Sequence, residues 1–171
     1  MSTPTVNKVL SVEEQRELAA RLFPEASRKI LDPIYCYTDI FKVLKQLDID
    51  VLARIENVDI PSRWAYGWAL EGNNREALLD RVTEPEWAYY WGLHIGNQDV
   101  MIDRITESEW AFYWGLYIGD RDAMIDRVTE SKWAYYWGLG IGDFDVMVDR
   151  VTKTQRAHFW MLNIGGHATT S

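Results

Sequence analysis

Nine tryptophans stand at positions 64, 68, 87, 91, 110, 114, 133, 137 and 160, and their spacing constrains this chain more than any other feature. Trp64, Trp87, Trp110 and Trp133 follow one another at intervals of 23 residues, and each has a second Trp four residues later. Asp80, Asp103, Asp126 and Asp149, each followed by Arg, keep the same interval. Read as units, DRVTEPEWAYYWGLHIGNQDVMI (80–102), DRITESEWAFYWGLYIGDRDAMI (103–125) and DRVTESKWAYYWGLGIGDFDVMV (126–148) are close copies. A worn copy precedes them from residue 57. Another begins at 149, where Arg156 replaces the first Trp. Five tandem copies at a fixed period describe a chain that buries its apolar surface by laying one small unit against the next.

Each unit predicts two helices. Thr83-x-x-Glu86 has the form of a capping box, and Pro85 sits in the first turn, where a missing N–H is harmless. Gly96 supplies the stop. Asn97, like Asp120 and Asp143 in the next copies, is placed to cap a shorter helix carrying Met101, Ile102 and Ile105. No stretch alternates with period two, so an all-α chain is expected.

On a wheel of 100° per residue, Trp87, Ala88, Trp91, Gly92 and Ile95 share one arc of about 140°. A helical Gly costs about 0.5–1 kcal/mol relative to Ala. Gly92, Gly115 and Gly138 therefore imply close approach by a neighbouring helix. Each Trp can bury about 150–250 Å², and the Trp stripe is expected as core. The opposite arc carries Glu86, Tyr90 and His94, then Glu109, Tyr113 and Tyr117. Lys132, Tyr136 and Gly140 follow, and after them Gln155, Phe159 and Asn163. The outer slots of this arc change between copies while the interior slots do not, as on a side no neighbouring copy touches. Tyr90, Tyr113, Tyr136 and Phe159 are expected as an outward ladder with rungs about 10 Å apart.

Residues 1–10 are polar and read as a flexible N-terminus. Residues 11–56 read as an N-terminal helical cap. Ser11 with Glu14 opens one helix, which Pro24 ends; a short helix is expected over 25–31, and Asp32-Pro33 opens a third carrying Tyr37, Phe41 and Leu47. Asp50 to Ile55 looks like a degraded second repeat helix. The five repeats span 57–166, and 167–171 read as a tail. This layout resembles the broad class of helical-hairpin tandem-repeat proteins, the α-solenoids that include tetratricopeptide and HEAT repeats, over residues 57–165. Its 23-residue unit is much shorter than theirs and lacks their signature sequences. The expected architecture is a right-handed superhelical stack of short helical hairpins with an N-terminal cap. The resemblance implies protein or peptide binding on a repeat-built surface.

Catalytic and metal signals are weak. Asp120/Asp122 and Asp143/Asp145 form a DxD pattern, but the further ligands of a calcium loop are missing and helix capping accounts for them. His94 lies on the variable face with no ligand partner on its helix, and Cys36, the only cysteine, reads as a small core residue. Asp103 and Asp126 sit beside Arg104 and Arg127, which suggests charge ladders between copies rather than an acid pair. No enzyme, cofactor or metal is expected. A single cysteine and no apolar run near about 18 residues point to a cytoplasmic protein outside the membrane. Residues 57–148 carry 16 acidic against 7 basic side chains, so direct nucleic-acid binding is not expected. The expected function is a non-enzymatic interaction module that engages a basic protein surface. Its face comprises Glu86, Tyr90, His94, Glu109, Tyr113, Tyr117, Lys132, Tyr136 and Phe159. One alternative is a small acidic inhibitor of phage or mobile-element type that blocks a nucleic-acid-binding protein. Another is a self-assembling structural protein, a homo-oligomer built end to end.

Overall fold

The structure, a computed structural model, describes residues 10–26, 44, 47, 50–72 and 74–167, with side chains for all of these except 159, 160 and 163–167. Among them every regular element is helical, as expected. The expected flexible N-terminus, most of the helices over 25–31 and 33–47, Cys36 and nearly all of the tail lie outside the described residues. Two compact units form, Met1–Thr83 and Glu84–Ser171.

In the first unit, α1 (Val12–Leu22) opens with the expected capping box. Ser11 Oγ accepts from Glu14 N–H at 3.2 Å, and Glu14 Oε2 accepts from Ser11 N–H at 2.8 Å. After a 3-10 turn (Pro24–Ala26) come α2 (Val51–Ile55), α3 (Ser62–Glu71) and α4 (Arg75–Leu79). Trp64 and Trp68 are both buried, their rings 5.6 Å apart. Phe23, from the segment expected to seal the array, meets Trp68 edge-on at 6.0 Å.

The second unit repeats a long helix and a short one. These are α5 (Pro85–His94) and α6 (Gln98–Met101), α7 (Ser108–Tyr117) and α8 (Arg121–Ile125), then α9 (Ser131–Gly140) and α10 (Phe144–Met147). A single longer helix, α11 (Lys153–His167), follows. Helix α7 packs against both α5 and α9. The turn between long and short helix is fixed by backbone sign. Gly96 and Asn97 both adopt positive φ, 113° and 54°, and Gly119-Asp120 and Gly142-Asp143 repeat the pair. Glycine takes the first position freely, and Asn and Asp are the side chains that best tolerate the second.

That geometry corrects one expectation. Asn97, Asp120 and Asp143 precede the short helices but make no side-chain cap bond. A capping side chain needs extended backbone, and here the backbone is left-handed. Asp143 instead accepts from Trp137 Nε1 at 3.1 Å.

At Thr83 the preceding copy also contributes a bond. Ser62 Oγ accepts the Thr83 N–H at 2.9 Å. Two joints later, Ser108 Oγ accepts the N–H groups of Thr129 and Glu130 at 3.0 and 3.1 Å. At the last copy the local box closes, with Gln155 Oε1 accepting from Thr152 N–H at 2.9 Å and Thr152 Oγ1 from Gln155 N–H at 3.3 Å.

The joints are otherwise sealed by Gly and Arg. A Cβ on Gly92 would lie 2.7 Å from Trp114, and one on Gly115 only 2.5 Å from Trp137. The glycine is thus the seat for the second Trp of the next copy. Arg127 reaches back to the carbonyls of Ile102 and Ile105, and Arg150 to those of Ile125 and Val128. Arg81 does the same to Val58 and Glu56 within the first unit. The expected charge ladder is present as well, with Arg150 3.2 Å from Asp126 and Arg127 3.9 Å from Asp103.

Candidate functional site

A helix in the middle of a row has two buried flanks rather than one. In α5 the flank toward α7 carries Ala88, Tyr89 and Gly92, all buried. What remains outward is the stretch Glu86, Tyr90, Leu93 and His94. Leu93 and His94 are exposed, while Glu86 and Tyr90 are half-buried.

This division corrects the reading of all tryptophans as core. Trp91, Trp114 and Trp137 are completely buried, but Trp87 and Trp110 are only half-buried. The reason is the aromatic slot at 89 and 112. Tyr89 and Phe112 are 5% and 7% exposed and pack against Trp110 and Trp133 of the following copy, at 5.5 and 5.6 Å. They occupy interior that the first Trp of each pair was expected to fill, and Trp110 moves to the boundary.

The ladder on the outward face therefore alternates Tyr with Trp. Ring centroids step from Tyr90 to Trp110 to Tyr113 at 5.8 Å each, then to Trp133 at 5.5 Å and Tyr136 at 5.9 Å. The planes of neighbouring rungs are inclined by 46–61°. Two of the tyrosines extend sideways by stacking on the residue one helical turn later. Tyr90 lies 6.1 Å from His94 at 4°, and Tyr113 lies 6.2 Å from Tyr117 at 18°. In the third copy that position is Gly140, and Tyr136 stands more open, at 44% exposure. Tyr117 is the most exposed tyrosine on the face, at 62%. Tyr113, expected as an outward rung, is half-buried between Trp110 and Trp133.

The charges on this face are graded along it. Glu86 and Glu109 stand on α5 and α7, and the exposed Lys132 on α9, with its Nζ 4.3 Å from the centroid of the Trp133 ring. Burial, and then the Glu109 carboxylate and neighbouring tyrosines, raise the Tyr113 hydroxyl above its ordinary value. Burial also raises Tyr89. Both hydroxyls therefore stay protonated as hydrogen-bond donors throughout the neutral range. The ring of Phe159 lies outside the described side chains. His158, counted only as a histidine in the sequence, hydrogen-bonds through Nδ1 to the Tyr135 hydroxyl.

One set of face residues escapes the wheel argument. Leucine recurs at 70, 93, 116, 139 and 162, every 23 residues and in all five copies. Leu93 is 39% and Leu139 42% exposed, while Leu116 is half-buried. Leu93, Leu116 and Leu139 each sit three residues beyond a ladder tyrosine and so belong to the same face. The repeat spacing alone would have found them.

The chemistry this arrangement offers is recognition. It presents flat rings, hydroxyl donors and an acidic rim. Among the described residues no group of three or more His, Cys, Asp or Glu is placed to hold a metal ion. Nor is any described helix long and apolar enough to cross a membrane. No protein-family model, curated protein or solved structure matches the chain.

Proposed function

We propose that the chain is a non-enzymatic protein-binding module of the cytoplasm, a short-unit α-solenoid. It engages its partner through the face of Tyr90, Tyr113, Tyr117 and Tyr136. The observation that carries this reading is the continuous aromatic ladder, bordered by the exposed Leu93 and Leu139. Aromatic rings with two side-chain torsions lose little entropy on binding and act as anchors at protein interfaces. Exposed leucines kept beside them add apolar contact that a purely solubilising surface has no use for. Glu86 and Glu109 favour a basic partner at one end of the face.

The test is capture of the partner by the full chain and by Tyr117→Ala/Tyr136→Ala, at low salt and at about 0.5 M salt. Both rings are substantially exposed, so the variant keeps its melting temperature while capture falls. Loss of binding in the wild type at high salt would favour the second reading, an acidic inhibitor of a nucleic-acid-binding protein. That reading rests on Asp103, Asp126 and Asp149, a recurrent row of carboxylates that remain well exposed even where an arginine approaches.

A further inference from the structure

Between Tyr90 and Tyr113 the ladder forms a slot. Trp110 is its floor, half-buried and inclined by 59° to Tyr90 and 46° to Tyr113. The walls are two rings deep, Tyr90 with His94 on one side and Tyr113 with Tyr117 on the other. Glu109 is at the rim, close enough to Tyr113 to act on its hydroxyl. The next slot along, floored by Trp133, is different. Its floor is 6% exposed, and Lys132 lies over that ring.

We propose that the Tyr90–Trp110–Tyr113 slot takes a proline-rich segment in the polyproline II conformation, with an arginine or lysine seated against Glu109. The inference rests on the binding role proposed above and names the class of ligand. Three observations favour this occupant. The first is pitch. Polyproline II repeats every three residues and about 9 Å, and packed helices lie about 8–10 Å apart. A segment lying in the slot therefore brings its next turn to the exposed Tyr136 and Leu139. An extended β-strand covers the same distance in about three residues, which turns successive contacts to opposite faces.

The second observation is hydrogen bonding. A polyproline II backbone leaves its carbonyls unbonded, and the slot walls carry the hydroxyls of Tyr90, Tyr113 and Tyr117 as donors for them. A helical ligand has spent its carbonyls internally. The third is charge. Glu86 and Glu109 flank the first slot while Lys132 stands at the second, so the ligand's basic residue belongs at the first and the binding direction is fixed. Flat aromatic slots that grip preformed proline turns are a recurring mode of peptide recognition.

The experiment titrates the full chain with a synthetic arginine-capped decaproline peptide, followed by tryptophan fluorescence and by the amide and indole resonances of the slot. An arginine-capped Gly-Ser peptide of equal length and an arginine-bearing amphipathic helical peptide run alongside. The expected result is saturable binding of the proline peptide, with the Trp110 indole shifted and the Gly-Ser peptide inert. Tyr117→Ala and Glu109→Gln should each weaken it by about five- to tenfold with melting unchanged. Equal binding of the Gly-Ser peptide, or tighter binding of the helical one, overturns the proposal. If no peptide binds while partner capture still depends on Tyr117 and Tyr136, the ligand class is wrong and the face assignment stands. If capture is also indifferent to those rings, both fail.

Discussion

Gly115→Ala is the sharpest probe of how successive copies are joined. A Cβ at this position would sit 2.5 Å from Cη2 and 2.7 Å from Cζ3 of Trp137, with Ile141 Cδ1 at 3.5 Å behind them. The indole is rigid, fully buried and tied at Nε1 to Asp143, so it has no flexible end to swing aside. Restoring ordinary separation needs a shift of about 1 Å in a close-packed interior. So close an approach puts the overpacking cost near the upper end of its usual range, about 2–3 kcal/mol. Alanine returns about 1 kcal/mol of helix propensity. The net expectation is a loss of about 1–2 kcal/mol, or about 2–8 °C in melting temperature for a protein of this length. Gly140 provides the control, because a Cβ there meets nothing within 4 Å. Gly140→Ala should therefore gain up to about 1 kcal/mol. Paired urea and thermal melts followed by tryptophan fluorescence give both numbers. Adding Trp137→Phe to Gly115→Ala should recover part of the loss, a coupling that distant sites do not show. If Gly115→Ala proves as stable as Gly140→Ala, the glycine is no seat and the joint described here is wrong.

The other expectations concern the same joint and its flanks. Arg127→Ala strips the caps from the Ile102 and Ile105 carbonyls and should cost about 1–2 kcal/mol in urea melts. Asp103→Asn, which touches only the exposed ion pair, should stay within about 0.5 kcal/mol. Ser108→Ala removes the acceptor of the Glu130 N–H and one of the two acceptors of the Thr129 N–H, costing about 1–3 kcal/mol. Hydrogen exchange should report faster exchange at those two amides. Tyr89 and Tyr113 have pKa values raised above the ordinary tyrosine value of about 10, chiefly by burial. The unfolded chain then releases protons first, so their contribution is complete below pH about 10 and is lost as pH rises through the folded values. Alkaline melts should show this loss, and Tyr89→Phe, which copies the residue already present at Phe112, should remove part of it.

The helical class, the 23-residue unit and the need for close approach at glycine were legible because every copy restates the same residues. Indole rings around Gly92 were legible too, but that the ring seated there is Trp114 of the next copy shows only in coordinates. A helical wheel assigns one buried arc to a helix, whereas α7 is covered on two flanks by α5 and α9. Trp87 and Trp110 were misplaced for this reason, and so was the half-buried Tyr113. Capping failed differently. The rules that place a cap at Asn97 are local, while the Ser108 hydroxyl that accepts the Glu130 amide lies 22 residues earlier. The left-handed backbone of Asn97 shows only in coordinates, although the Gly-Asx order was its sequence trace. The leucines at 93 and 139 were visible in the spacing and were passed over because apolar side chains default to the core.

Those leucines separate two demands on the same unit. Stability draws on the glycine seat, the second Trp, the reaching Arg and the joint serine, all of which face another copy. A residue kept for packing is buried, as Met101, Met124 and Met147 are. Leu93 and Leu139 are not, yet their slot stays leucine in all five copies. It does so even where the first Trp has become Arg156 and the glycine seat has become Met161. Beside it, Glu86, Glu109, Lys132 and Gln155 change sign or lose charge, and His94, Tyr117 and Gly140 change size. Burial within the joint does not account for leucine at the exposed 93 and 139 positions among neighbours that change freely. Under the binding role proposed above, these leucines are the part of the partner contact that the copies hold in common, and the choice of partner is left to the residues between.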